Sequence, residues 1–396
     1  RHPRRHACMQ GKTNAPARSG TPVLRELACR QESLGLRTRE QRRSPASRGV
    51  AQQSSLDRRV RCTAVLRTTA TMAAASCGET DQVGAGERQR SDSIKSMKLY
   101  NHVTRVYHYL VEHGHCRSVE EAAAPDAAFQ LSKDELLDIP GLFLNYGQHD
   151  SVKDAIFALN LAGPNGDGKV VVDVGAGLGQ PARAMAWLAD GLRVIGVELQ
   201  EDQVVVGNKL SRAVGLPAER CELLCADFLD ETSAGSDLGL PGSGAIDGLV
   251  SWLCILHMNR EQRAQVWQRT AKLLKPGAKI FVEDFFRAGE HFSPEELEQL
   301  RVDVYCDGAQ LPSREEYVAE LEAAGFTDIV FEDKSAEWGK FCAERLAAWE
   351  GKRAEIERIQ NEATFADLSH FYRTIVSLWA NGTLGGVRVI ATKPTG

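Results

Sequence analysis

The stretch "VVDVGAGLGQ", residues 171–180, constrains this chain most. A β-branched run ends at Asp173 and Val174, Gly175, Gly177 and Gly179 follow at alternate places, and a helical pattern begins at Pro181. A strand that turns sharply into a helix returns its next strand parallel to itself, through a right-handed crossover. The following segments keep that alternation. "RVIGVEL" reads as a strand, "DQVVVGNKLSRAVGL" as a helix, and "CELLCADF" and "AIDGLVSWL" as strands. "REQRAQVWQRTAKLLKPG" is a helix with a Pro-Gly stop, and "KIFVEDFF" is again a strand. The pattern predicts an α/β fold with a Rossmann-like, doubly wound and mainly parallel sheet, without internal repeats.

The C-terminal third departs from simple alternation. After the helix "SREEYVAELEAAGF" and the strand "TDIVFED", two helical segments over about 335–381 precede the strand "GGVRVIATKP". An insertion of this kind covers a site. On the other side of the sheet-forming region, "IKSMKLYNHVTRVYHYLVEH" (94–113) spaces apolar residues at helical intervals. "SKDELLDI" has the capping-box spacing from Ser132 to Glu135 and a stop at Pro140. The expected organisation is a basic tail over 1–71, a helical cap over 72–140 and the main domain over 141–396.

Charge is unevenly placed. Residues 1–71 hold fifteen Arg and one Lys against four acids, a balance of +12 that leaves −17 for the remainder of a chain of net charge −5. That segment is also rich in Ser, Thr and Gln and lacks periodicity, which predicts disorder. Three readings compete for it: an organelle-targeting segment, a nucleic-acid arm, or a dispensable upstream tail before the start-like "TMAAASCGET" at Met72. An acidic folded part disfavours binding to a phosphate backbone, so no nucleic-acid partner is expected. No window is apolar enough for a membrane span. The ten cysteines are scattered, and "HGHC" at 113–116 has no second ligand pair nearby. No metal is assigned, and a reduced, cytoplasmic location is expected, with organelle targeting by residues 1–71 as the alternative. Oligomeric state stays open.

The glycine turn carries the chemistry. Glycines allow sharp turning and close ligand approach, but a G-x-G-x-G pattern alone is shared with dinucleotide sites and with empty turns. Glu198 ends the second strand, nineteen residues beyond Gly179, where a carboxylate accepts hydrogen bonds from both ribose hydroxyls. Asp227 and Phe228 end the third strand, where an adenine ring would lie. Two features then separate NAD from S-adenosylmethionine. The third glycine comes one residue too early for the dinucleotide spacing, and Asp173 suits the cationic sulfonium and amino groups of a methyl donor.

At this point the sequence resembles a family. "VVDVGAGLGQ", "GVEL", "CADF", "VSWLCILHM", "LLKPGAKIFVEDF" and "LEAAGFTDIVFED" follow the order and spacing of class I S-adenosylmethionine-dependent methyltransferases over about residues 141–334. The resemblance implies a seven-stranded sheet with a reversed last strand, here "GGVRVIATKP". "SWLCILH", "EDFF", "EDKSAEW" and the aromatic C-terminal helices look like the small-molecule N-methyltransferases acting on phosphoethanolamine and on sarcosine or dimethylglycine. That likeness implies a catalytic role for His257. It also places Leu253 where those enzymes have an amine-binding Asp, and Trp252 where they have an Arg.

The expected donor contacts are Asp173, Gly175, Gly177, Gly179, Glu198, Asp227, Phe228 and Ser251. His257 is the candidate base, because imidazole titrates near neutrality; capping a strand or helix end is its alternative role. Tyr146 in "FLNYGQHD" is a candidate to close over the donor or orient the base, with packing as its alternative and His149 a weaker choice. Asp284 and Trp252 are candidate substrate contacts. The function expected is methyl transfer to a small acceptor, an amine by resemblance. The alternatives are transfer to oxygen, sulfur or carbon of a small hydrophobic metabolite, and a non-catalytic adenosyl-ligand-binding protein.

Overall fold

The computed structural model describes residues 102–139, 141–230 and 239–396. The basic segment 1–71, Met72, the start of the helix expected from Ile94 and the stop at Pro140 lie outside the described residues.

Seven strands form one sheet: β1 (Val170–Val174), β2 (Arg193–Glu198), β3 (Cys221–Cys225), β4 (Ile246–Trp252), β5 (Leu274–Arg287), β6 (Thr327–Asp333) and β7 (Leu384–Thr392). Their spatial order is β3-β2-β1-β4-β5-β7-β6. Strands β1 to β5 pair in parallel, and β7 runs antiparallel to both β5 and β6. The doubly wound sheet with a reversed last strand is therefore present. Chain order reverses direction between β1 and β4, and an open α/β sheet gapes there at its carboxyl edge.

The helices are α1 (His102–Glu112), α2 (Val119–Ala123), α3 (Lys133–Leu137), α4 (Gln148–Ala158), α5 (Gln180–Leu188) and α6 (Glu201–Ala213). They continue with α7 (Arg260–Leu273), α8 (Pro294–Gln299), α9 (Arg314–Ala323), α10 (Ser335–Gly351), α11 (Arg353–Ile359) and α12 (Glu362–Asn381). Ser132 and Glu135 form the expected capping box at the start of α3. The segment 336–360, which reads as one helix, divides at Lys352 into α10 and α11. A second difference lies at the Pro-Gly stop after α7. The helix ends at Leu273, but Leu274 already pairs with Ile246, and the register shifts before Gly248 takes up Lys279. Lys275, Pro276 and Gly277 thus form an irregular start to β5 rather than a loop.

Strand alternation sends Val172, Val174, Ile195 and Val197 to one face, against Val266 and Trp267 of α7 and Leu321 of α9. Val171, Val194 and Val250 point to the other, against Met185 of α5 and Ile156 of α4. Each such side chain, fully buried, contributes about 1.5–3 kcal/mol. Trp267 is completely buried, and its truncation to Ala would remove about 3–5 kcal/mol. Helix α1 joins the same body, since Val106 and Leu110 share a cluster with Val206 and Leu210 of α6.

Candidate functional site

The carboxyl ends of the strands, the segment before α4 and the helices α10 and α12 enclose a cavity of about 600 Å³. That volume falls in the range of about 300–1,000 Å³ usual for small-molecule sites.

Gly175, Gly177 and Gly179 all have positive φ, at 74°, 54° and 76°, so the turn is of the kind that side chains resist. Close approach is a separate matter. A Cβ on Gly175 would sit 2.3 Å from Cys254 Sγ, and one on Gly179 would sit 2.8 Å from the Leu223 side chain. Those two glycines make room for the protein itself. A Cβ on Gly177 would meet only Gln203 Oε1, at 3.3 Å; Gln203 and Cys254 both line the cavity.

Glu198 is nine-tenths buried and holds the turn: its Oε2 accepts from Gly177 N–H and its Oε1 from Gln200 N–H, each at 2.9 Å. Burial raises its pKa against the lowering effect of these bonds. Each oxygen keeps lone-pair capacity for a hydroxyl donor. Asp173 is 1% exposed, lines the cavity, and its Oδ2 has no hydrogen-bond partner. Burial, and then the Glu198 charge, lift its carboxyl to about 8. A buried carboxyl without a donor is costly unless something completes it. Gln203, which pattern reading did not find, repeats the signature: it is 1% exposed, with Oε1 unpartnered. Asp227 and Phe228 also line the cavity, and Phe228 in addition lies under the Arg269 guanidinium in the core.

Beyond β4 the chain makes a 3-10 turn, Ile255–His257, that brings His257 to the cavity wall. Its Nδ1 lies 2.9 Å from the Tyr305 carbonyl, which only accepts, so this contact assigns a proton to Nδ1. Asp284 departs from the expectation. It does not line the cavity; its Oδ2 accepts from Ile255 and Leu256 N–H at 2.7 and 3.1 Å, and its Oδ1 from Phe285 N–H at 2.7 Å. Burial lifts it to about 7 against these three bonds. Asp284 fastens the turn that carries His257, with both its oxygens engaged by backbone N–H groups behind the cavity wall. Ser251 is corrected likewise: it is fully buried beneath the cavity floor and donates to the Val174 carbonyl at 2.9 Å.

Trp252 does line the cavity, but its Nε1 donates to Ser151 Oγ at 2.8 Å, which in turn donates to Glu283 Oε2 at 2.6 Å. Only the ring remains to meet a ligand. Tyr146 lines the cavity within a cluster of Phe285, Trp338, Phe341 and Trp379, in hydrogen-bond contact with Cys342. Burial raises its pKa well above the ordinary phenol, so it does not act as a base near neutrality. His149 does not line the cavity. From the insertion, α12 contributes Leu368, Phe371, Tyr372 and Ile375, and α10 contributes Arg345, whose guanidinium bonds to the carbonyls of Phe143, Leu144 and Asn145.

A family model described as a methyltransferase domain matches residues 171–277, the segment that builds this glycine turn and the strands around it. The chain carries a methyltransferase domain. Over 220 residues it is 27% identical to phosphoethanolamine N-methyltransferase 1 of Arabidopsis thaliana, a match taking in 56% of this chain and 38% of that protein. The chain thus spans about two fifths of the length of that relative. Phosphoethanolamine N-methyltransferase 2 of Haemonchus contortus, solved with S-adenosyl-L-methionine, superposes with a TM-score of 0.55 at 19% identity, over 64% of this chain and 54% of that one. The cyclopropane synthase MmaA2 of Mycobacterium tuberculosis superposes with a TM-score of 0.53 at 16% identity, over 74% and 98%. The fold is that of the class I methyltransferases, and the resemblance to the phosphoethanolamine group read from the motifs holds.

Proposed function

We propose that this methyltransferase uses S-adenosylmethionine to methylate a nitrogen of a small molecule. The observation that carries the reading is the unpartnered, buried Asp173 oxygen at the head of the glycine turn, with Glu198 clasping the same turn. A cationic amino group completes the first, and ribose hydroxyls complete the second, so the residues present fit the donor. Asp227 and Phe228 supply a polar edge and a ring face for adenine.

The bound donor supplies a methyl on a sulfonium, open to in-line attack. The chain's part is to hold donor and acceptor in line and to exclude water, for which α10 and α12 supply one wall of the cavity. Where the acceptor arrives as a protonated amine, His257 Nε2 takes the proton and Nδ1 stays on the Tyr305 carbonyl. The domain is supported by the family match and the nitrogen by the likeness to phosphoethanolamine enzymes.

A second reading has its own observation. Leu253 and Leu256 face the cavity beside Phe371 and Ile375, an apolar surround that suits oxygen, sulfur or carbon of a hydrophobic metabolite. Following labelled methyl from S-adenosylmethionine into a fractionated small-molecule extract, spiked with phosphoethanolamine and dimethylglycine, separates the two. Label in cationic low-mass products supports nitrogen. Label confined to neutral or lipid fractions replaces it with the second reading, and no label in any fraction defeats both.

A further inference from the structure

The segment between α8 and α9 holds a device that the proposed chemistry does not yet use. After α8 the chain forms a π-helical turn, Leu300–Val304, closed by Tyr305 in the left-handed region at φ 57°. Such turns are rare and concentrate at functional sites, and a non-glycine residue at positive φ persists only where its surroundings hold it. Here the strained residue is the one whose carbonyl meets His257 Nδ1 at 2.9 Å. What holds the turn comes from the insertion. Asp303 within it accepts from Thr374 Oγ1 at 3.0 Å and faces His370 Nε2 at 3.0 Å, both on α12. Below these bonds Leu300 and Val304 pack in one cluster with Ile375 and Leu378 of the same helix.

We infer that Asp303 is a positioning residue: by tying the π-turn to α12 it fixes the Tyr305 carbonyl, and through it the tautomer and orientation of His257. The helix that roofs the cavity and the imidazole that meets the acceptor are then set by one joint, so that His257 is correctly presented when α12 is in place. The buried member of the joint is Thr374, 6% exposed, whereas the His370 side chain is 69% exposed and its ion pair contributes little. Asn at position 303 keeps both bonds, accepting from Thr374 and donating to neutral His370; Ala keeps neither.

The inference rests on the proposed role of His257, and its first test needs no acceptor. In ¹⁵N-labelled full-length protein, with the imidazole signals of His257 assigned by their loss in His257→Ala, the parent is expected to show the Nδ1-protonated tautomer. Asp303→Ala and Thr374→Val are expected to show a mixture, and Asp303→Asn the parental pattern. Thr374→Val keeps the side-chain shape, so a signal is available even if Asp303→Ala does not fold. An unchanged tautomer in both disruptive variants overturns the inference. The second test uses phosphoethanolamine and dimethylglycine as probes. Asp303→Ala should lower kcat about ten- to a hundredfold, leave donor affinity within about twofold, and have almost no further effect in a His257→Ala background. Equal proportional losses in both backgrounds would strike the positioning role alone. Failure of the parent to bind S-adenosylmethionine in calorimetry would instead strike the reading beneath it.

Discussion

Asp173 is a carboxyl that the fold keeps short of partners, and its behaviour follows from that. At about 8 its pKa stands far above that of an unfolded Asp, so the native state holds a proton that the unfolded chain releases between about pH 4 and 8. Stability from this group is complete below the unfolded value and is lost as pH rises through the folded one. A cationic ligand reverses the preference and expels the proton on binding. Calorimetry in buffers of different ionisation heat should therefore show proton release below pH 8, and affinity for S-adenosylmethionine should rise from pH 6 to 8. Asp173→Asn should flatten that slope, weaken binding and relieve the loss of stability at high pH; a slope kept in the variant would assign it elsewhere. Glu198→Ala removes the proposed ribose contacts, about 1.5–3 kcal/mol each, and also the clasp on Gly177, so donor affinity should fall at least tenfold. Affinity equal to the parent's would remove Glu198 from the site. That both acids line the cavity was legible because their place is written in local pattern, a strand end beside glycines. Asp284 was misread for the same reason: a carboxylate at a strand's carboxyl end reads as facing ligand, and no spacing reveals that three backbone N–H groups have already taken it.

Elements differ in how far the sequence exposes them. Strands β1, β2 and β4 announce themselves through β-branched runs, and α3 through its capping box. Helix α4 and the π-turn went unseen. The turn has no period to recognise, and its link to His257 joins residues 48 positions apart. The glycine turn was foreseen, but its three positions are unequal, which substitution by Ala tests. Gly177→Ala meets left-handed strain of about 1–2 kcal/mol and a tight contact with Gln203 Oε1 at 3.3 Å. Gly175→Ala adds a clash with Cys254 and should lower the melting temperature distinctly further. Equal losses would mean that the Cys254 side chain swings aside. In β7, Gly386 leaves the space into which the Trp338 ring fits, 2.3 Å from where a Cβ would stand, so a residue that looks like strand punctuation seats α10.

At the scale of the molecule, chain order and spatial order part company at β7. It occupies the slot between β5 and β6 and pairs along both edges, yet it follows α10, α11 and α12 in the chain. During synthesis the five parallel strands and β6 therefore emerge first, before the strand that joins β5 to β6. Both flanking edges offer unpaired backbone groups until residues 384–392 arrive, the arrangement most prone to wrong pairing between chains. A chain truncated before Leu384 is expected to associate with its neighbours and to lack a closed cavity, whereas the released chain that includes Thr392 should resist protease. The roof helices must wait beside an open seam, and the strand that shuts the sheet also fixes the roof. In this molecule the sheet stays in two parts until its last nine-residue strand is seated, and only then do the roof helices close over a cavity with a complete floor.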